Sequence, residues 1–416
     1  VNRILTLAFA LYGLSTLTSM AGMSVGAGLL ALALAGVSLR DRGRMSGLPA
    51  ALRAEVARPD SRFYLAASFG LAIACVVSLL AALVRPPVYA GAMSEVHFFK
   101  DAAKLWYLFW PFLLAPFLRR LPEDSRRTIL RVWLVTFFVI SILGVFQFFT
   151  GFPRAQVIPG HAPYFHAVLL FGHHLSTASI WIFPCFAALD LATDARGPER
   201  TGLARGFLWL SAALGLVVLF LTYSRMAWIA TPLALLVWLL LRLPRKPALL
   251  VGLACFAALA GAYQVPGIRT RLNDPMGSMT RYQLWEANLT FFKDRPLNGV
   301  GWRHNQELSG PYLVDKLKSA EVFSGHAHNV VLDFLGGVGA LGLAAWVIWM
   351  AAVMRPLWRA RRTEAGFLAN GFLCAWLAFL VNGLTQVNFW EAKVEHQMAW
   401  VVAWTLALAT GSAARE

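Results

Sequence analysis

Apolar runs of about 20 residues recur along the whole chain, separated by short polar stretches rich in arginine. Each run is long enough to cross a hydrocarbon layer of about 30 Å as a helix. The runs are continuous rather than alternating. They therefore predict helices, which satisfy their own backbone in lipid, and not the strands of a barrel. About twelve spans are expected, near 4–20, 21–39, 63–84, 105–118, 129–149, 166–191, 206–221, 226–241, 248–263, 330–354, 367–384 and 397–409. The first two form a pair with no charge between them. The stretch 1–20 has Arg3 ahead of an apolar run, as a signal peptide would. No small-residue cleavage site stands out, so it is read as a span. The expected fold is an all-α integral membrane protein. It divides into a transmembrane bundle over 1–263, a long and partly helical outer loop over 264–327 between the ninth and tenth spans, and C-terminal spans over 328–416.

Composition agrees with this pattern. The chain of 416 residues is 58% hydrophobic and 14% charged, well below the charge content of a soluble domain. Cys75, Cys185, Cys255 and Cys374 all fall inside apolar runs, in no zinc-binding spacing, and are read as packing residues. The net charge of +16 would suggest nucleic acid in a soluble protein, but its distribution argues otherwise. The arginines gather in short loops: Arg40, Arg42 and Arg44; Arg53, Arg58 and Arg62; Arg119, Arg120, Arg126 and Arg127; Arg242, Arg245 and Lys246; Arg355, Arg359, Arg361 and Arg362. Counting spans alternately from a cytoplasmic N-terminus puts every cluster inside, against anionic lipid headgroups. The loops 85–104, 151–163, 264–327 and 385–396 then lie outside, and no nucleic-acid partner is expected.

The loop over 264–327 is too long for a plain connector. Tyr282, Trp285, Leu289 and Phe292 follow helical spacing and are expected to form one apolar face of a helix lying along the membrane surface. Pro296-Leu297-Asn298-Gly299-Val300-Gly301 then breaks that helix.

Three polar elements fall on the outer side. Leu221-Thr222-Tyr223-Ser224-Arg225 joins two spans, and an arginine at such an edge must reach water or meet an anion. Arg281 heads Arg281-Tyr282-Gln283-Leu284-Trp285 in the outer loop. His326-Ala327-His328-Asn329 opens the tenth span and is followed by Gly339-Ala340-Leu341-Gly342. Guanidinium groups match phosphate oxygens in a planar fork, and neutral imidazole can take a proton from a hydroxyl. Together they suit displacement of a diphosphate by a hydroxyl. Asp274, Glu286, Asp294, Glu307, Asp315 and Glu321 are scattered and form no metal-binding motif, so metal-independent chemistry without a cofactor is expected.

His328-Asn329, nine residues, then Gly339-x-x-Gly342 resembles the signature of the O-antigen ligases, within the wider ligase/polymerase superfamily. Thr222-Tyr223-Ser224-Arg225, Arg281-x-x-x-Trp285 and Pro296-x-x-Gly299-Val300-Gly301 are similar to other blocks of that family. The resemblance is strongest over 221–342. It implies an inverting glycosyltransferase at the periplasmic face of the Gram-negative inner membrane. Such an enzyme moves O-antigen from undecaprenyl diphosphate to the lipid A–core oligosaccharide. His328 would be the base that deprotonates the acceptor, and Arg225 and Arg281 would hold the leaving diphosphate. His326, Asn329 and Trp285 would be substrate-side positioning residues.

Other polar residues are candidates from their placement. His173 and His174 lie within an apolar run and either line the lipid-diphosphate cavity or simply pack. His161 and His166 are expected to be exposed on an outer loop. Gln386, Asn388 and Trp390 are candidates for sugar contact, with an interfacial tryptophan as the alternative. Asp333, one turn beyond Asn329, is a candidate for orienting polar neighbours. Two other functions fit parts of the pattern. An O-antigen polymerase would use the same donor. A transporter or flippase would suit the number of spans, although no internal repeat is visible.

Overall fold

The structure is a computed structural model that describes residues 2–40, 48–86, 95–159, 161–273, 276–318, 324–363 and 366–408. Arg42 and Arg44 of the first arginine cluster, Asp274 and Glu321 of the outer loop, and residues 87–94 of the expected loop 85–104 lie outside the described residues. Among the described residues the protein is all-α, with a single isolated bridge between Val157 and Phe165. The helices are α1 (Asn2–Ser15), α2 (Met20–Arg40), α3 (Leu48–Val56), α4 (Pro59–Val84), α5 (Glu95–Ala103), α6 (Trp110–Arg120), α7 (Glu123–Thr150), α8 (His174–Thr193) and α9 (Gly197–Thr201). They continue as α10 (Arg205–Leu221), α11 (Arg225–Arg242), α12 (Arg245–Ala262), α13 (Pro266–Leu272), α14 (Met276–Asp294), α15 (His304–Leu317), α16 (Val330–Ala360), α17 (Ala369–Gly383) and α18 (Ala392–Leu408).

Seven of these helices are long and apolar enough to cross a membrane: α2, α4, α7, α8, α11, α12 and α16. At the centre is α8, which packs against α10, α17 and α18 and is buried along almost its whole length. Its small and hydroxylated residues allow this close packing. Ser179 Oγ accepts from Asn382 Nδ2 of α17 at 2.9 Å, and Trp181 Nε1 donates to Ser141 Oγ of α7 at 3.1 Å. Cys75, Cys185 and Cys374 are buried and unbridged, as the packing reading expects.

Two expected spans are interrupted. Over 105–118 a 3₁₀ turn (Lys104–Leu108) precedes α6, which begins at Trp110 with Pro111 in its first turn, where a missing N–H costs nothing. Over 166–191 the helix begins only at His174. The preceding stretch finds its backbone partners on other elements. Phe165 N donates to Phe148 O at 3.0 Å, Ala167 N to Leu221 O at 3.0 Å, and Leu169 N to the Gln147 side chain at 2.6 Å. Irregular backbone within a membrane bundle is tolerated where protein satisfies it in this way.

The outer loop carries α13, α14 and α15, with a small core of its own formed by Leu284, Ala287, Phe291, Val300, Leu308 and Leu313. This corrects the expected apolar face. Tyr282 is 60% exposed and Leu289 41% exposed, while the buried stripe is Leu284, Ala287 and Phe291. The helix has apolar residues on two sides, and packing against α15 and α16 selects one of them.

The glycine blocks fasten the loop to the bundle. At Gly339 (φ +73°) the helical course of α16 is broken. The amides and carbonyls released there pair with the segment after α14. Val300 N donates to Gly336 O and Gly301 N to Gly337 O, both at 3.0 Å. Ala340 N donates to Pro296 O at 2.8 Å and Leu341 N to Leu297 O at 3.2 Å. A Cβ on Gly339 would lie 2.4 Å from the Leu297 backbone, and one on Gly299 (φ +65°) 2.4 Å from that of Gly337. Only glycine allows the approach.

Candidate active site

Polar residues gather where α8, α10, α16, α17 and α18 meet the outer segments. Asn329 caps α16, its side chain accepting from Val331 N at 2.9 Å and Leu332 N at 3.1 Å. Its oxygen is thus engaged in ending the helix, which accounts for the asparagine without a substrate. Asp333 is buried one turn on. Its Oδ1 accepts from Asn305 Nδ2 at 2.9 Å and from Ala327 N at 3.3 Å. Asn305 in turn donates to Asn288 Oδ1 at 2.7 Å, so Asp333 ties the His326–Asn329 turn to α14 and α15.

Within that turn His328 has φ +48°, a costly backbone for a non-glycine residue. Its backbone N donates to His326 Nδ1 at 3.2 Å, and the two rings lie 4.2 Å apart between centroids. His328 Nδ1 meets Gln386 Oε1 at 3.1 Å. Gln386 presents its side-chain oxygen to this ring nitrogen. An amide oxygen only accepts, so Nδ1 carries the proton and Nε2 keeps its lone pair. Burial, and then the positive charge of Arg281, pull the His328 pKa down to about 4. The imidazole is neutral at neutral pH and can accept a proton.

Glu391 extends this arrangement to α8. Its Oε1 accepts from Ser176 Oγ, and Ser176 also meets His173 Nδ1 at 3.4 Å. Its second oxygen, Oε2, is buried without a partner among the described residues. Burial raises the Glu391 pKa against the opposing effect of Ser176, Lys393 and Gln386.

His173 and His174 lie at the start of α8 beside this group. His174 stacks on His166 at 4.3 Å, and His166 Nδ1 bonds Thr222 O at 2.8 Å. His166 is 2% exposed, which corrects the expectation of a solvent-facing residue. It is the pin between the Thr222–Arg225 turn and α8, and burial lowers its pKa to about 4. Tyr223, at φ +53°, packs its ring against Phe148 and Trp228 in the same turn. Burial, the His328, His173 and Arg303 charges together lower the His326 pKa to about 3.

The two expected arginines approach this group differently. Arg281, half-buried on α14, is near enough for its charge to act on His328. One turn further, Trp285 buries an indole N–H that has no partner among the described residues. Arg225 begins α11, directly after the turn that His166 holds. The structure brings together His328, His326, Arg281, His173 and His174, and connects Arg225 only through its turn.

The sequence reading passed over Arg303 and Glu391. Arg303 (φ +65°) donates to Trp390 O at 2.7 Å and approaches Asp101 at 3.6 Å. Glu391 carried one legible signal, an acid between two apolar spans beside Gln386 and Trp390. Gln386 and Asn388 are buried and hydrogen-bonded to protein, Asn388 through Nδ2 to Phe379 O at 2.9 Å, so neither is placed as a simple surface contact for sugar. Among the described residues no group of three His, Cys, Asp or Glu side chains is arranged to hold a metal. The site therefore offers a neutral imidazole, cationic side chains around it, and a buried indole N–H at Trp285 with no acceptor among the described residues.

Comparison with known proteins agrees with the motifs. The O-antigen ligase family model matches residues 210–347, the stretch that holds Arg225, Arg281, His328 and both glycine blocks. An O-antigen ligase of Pseudomonas aeruginosa is 31% identical over 177 residues, covering 41% of this chain and 39% of the relative. The chain thus aligns with well under half of that relative's length. Through this central segment, the chain is similar to the O-antigen ligases.

Proposed function

We propose that the protein is a glycosyltransferase that joins O-antigen, carried on undecaprenyl diphosphate, to the lipid A–core oligosaccharide at the periplasmic face of the inner membrane. The observation that carries this reading is the pairing of His328 Nδ1 with the Gln386 oxygen in the turn that opens α16, with the Arg281 charge close by. In the proposed step an acceptor hydroxyl attacks the anomeric carbon from the side opposite the diphosphate. Its proton passes to His328 Nε2, the sugar–oxygen bond to the diphosphate breaks, and the bonding pair leaves on the diphosphate with inversion. Arg281 and Arg225 hold that leaving group through paired N–H···O bonds, and the Trp285 N–H supplies a further donor.

A His328 pKa of about 4 makes a weak base in the empty site. An arriving diphosphate places negative charge beside Arg281 and the imidazole, which raises the imidazole pKa toward the working range as the substrates assemble. No divalent cation enters this scheme. Transfer by purified protein in excess chelator tests that separately.

The decisive experiment gives purified protein lipid-linked O-antigen and lipid A–core and looks for the joined product. The proposal predicts that product. Extension of the lipid-linked glycan alone would identify a polymerase, and movement of the lipid-linked glycan across a bilayer without transfer would identify a flippase.

A further inference from the structure

The opposite end of the bundle contains a cavity that glycan transfer leaves unused. It measures about 510 Å³ and lies between the start of α7, the α8–α10 connection, and the end of α18. With α8 about 30 Å long from His174 to Thr193, the cavity is a full helix length from the histidines. Half-buried Arg126, Arg127 and Arg200 line it, with exposed Arg196 beside them. Its two glutamates, Glu123 and Glu199, are exposed, and Arg127 also approaches exposed Asp124 at 3.6 Å. The remaining wall is apolar, from Leu130, Phe367, Trp404 and Leu408.

Two observations point to a ligand. Trp404 is 1% exposed and its indole N–H has no acceptor, and Arg127 Nε is likewise buried without a hydrogen-bond partner among the described residues. Arg200 is braced at the mouth by Asp194 at 3.3 Å and by the Phe367 ring at 4.3 Å. A cavity with buried donors in excess and an apolar wall fits a ligand that has several acceptor oxygens and a hydrocarbon part.

We propose that this cavity binds an anionic glycerophospholipid, its phosphate held by Arg126, Arg127 and Arg200 and its glycerol and upper acyl chain against Phe367, Trp404 and Leu408. The arginine clusters put this end of the bundle on the cytoplasmic side, where anionic lipid is available. The site is independent of the transfer reaction.

Native mass spectrometry of the full-length detergent-solubilised protein, titrated with phosphatidylglycerol, phosphatidylcholine or inorganic phosphate, tests it. Phosphatidylglycerol is expected to bind selectively. The double variant Arg126→Gln/Arg200→Gln should weaken that binding roughly twentyfold. Trp404→Phe, which keeps the ring and removes the N–H, should weaken it several-fold. The control Arg355→Gln/Arg359→Gln removes two charges that pair with Asp60 on another face and should bind normally. Equal binding of phosphatidylcholine, or equal loss in the control, overturns the proposal. Competition by inorganic phosphate at the same concentration identifies a free-phosphate site and overturns the lipid assignment. Size-exclusion profiles and glycan transfer should stay unchanged in the double variant, and a folding defect there leaves Trp404→Phe to decide.

Discussion

Two buried carboxylates sit at opposite ends of α8, and their surroundings differ. Asp190, on α8 itself, has every oxygen engaged. Oδ1 accepts from Arg242 Nε at 3.1 Å, from Arg242 Nη2 and from Trp238 Nε1 at 3.1 Å, and Oδ2 accepts from Gly371 N at 2.9 Å. Glu391 holds Ser176 and leaves one oxygen buried without a partner among the described residues. Among the described residues no guanidinium forms an ion pair with it. Asp190 is a fastening for α8, α11 and α17. Glu391 is held in an incompletely satisfied state beside the imidazole proposed as base. Incomplete satisfaction of a buried charge is costly, and such cost concentrates where function demands it.

That contrast can be broken at several points. The largest effect is expected from His328→Ala, which should lower glycan transfer by about 10²–10⁴-fold while leaving the amount of folded membrane protein unchanged. Normal transfer by this variant would remove the base from the scheme. Next is Asp190→Ala, which strands Arg242 without its counter-charge. It should cost about 3–5 kcal/mol and deplete folded protein in detergent thermal-unfolding assays, lowering activity only in proportion. Arg281→Lys keeps the charge but loses the planar fork, so transfer should fall roughly tenfold to a hundredfold. A lysine variant with normal rates would mean that point charge suffices. Glu391→Gln should leave stability unchanged or improved and lower transfer by about tenfold, since the Gln386 amide loses its anionic partner. Equal loss of folded protein from Glu391→Gln and Asp190→Ala would erase the distinction.

The smallest effect sharpens the electrostatics. The working form of His328 is neutral, and its pKa is lowered, so transfer should persist as pH falls and be lost only as the imidazole protonates. Burial is the main cause and Arg281 the next. Residual activity of Arg281→Gln should therefore fail at a higher pH than that of the intact protein. An unmoved acid limb would separate Arg281 from the imidazole.

Much of the bundle was legible because lipid imposes one rule on every helix: about 20 apolar residues, with arginine at the ends. The glycine blocks, Arg281 and His328 were legible as motifs. The fastening of Pro296–Gly301 onto the break at Gly339 was not, because backbone pairing between distant segments leaves no hydrophobic period. The irregular stretch before His174 was misread as helix because its residues are apolar and its hydrogen-bond partners, on α7 and α10, are remote in sequence. The buried face of α14 depended on which neighbour packs against it. His166 looked exposed because a loop histidine carries no local sign that it will stack on His174 and bond Thr222.

The four backbone bonds around Gly339 also govern how the chain can vary in length. A residue added between Gly301 and His326 lengthens the roof and leaves its anchorage intact. A residue added within 296–301 or 336–341 shifts donors out of step with acceptors and detaches the roof from the helix that begins at the histidines. Insertions in natural or designed variants should therefore accumulate in the first stretch and be excluded from the other two.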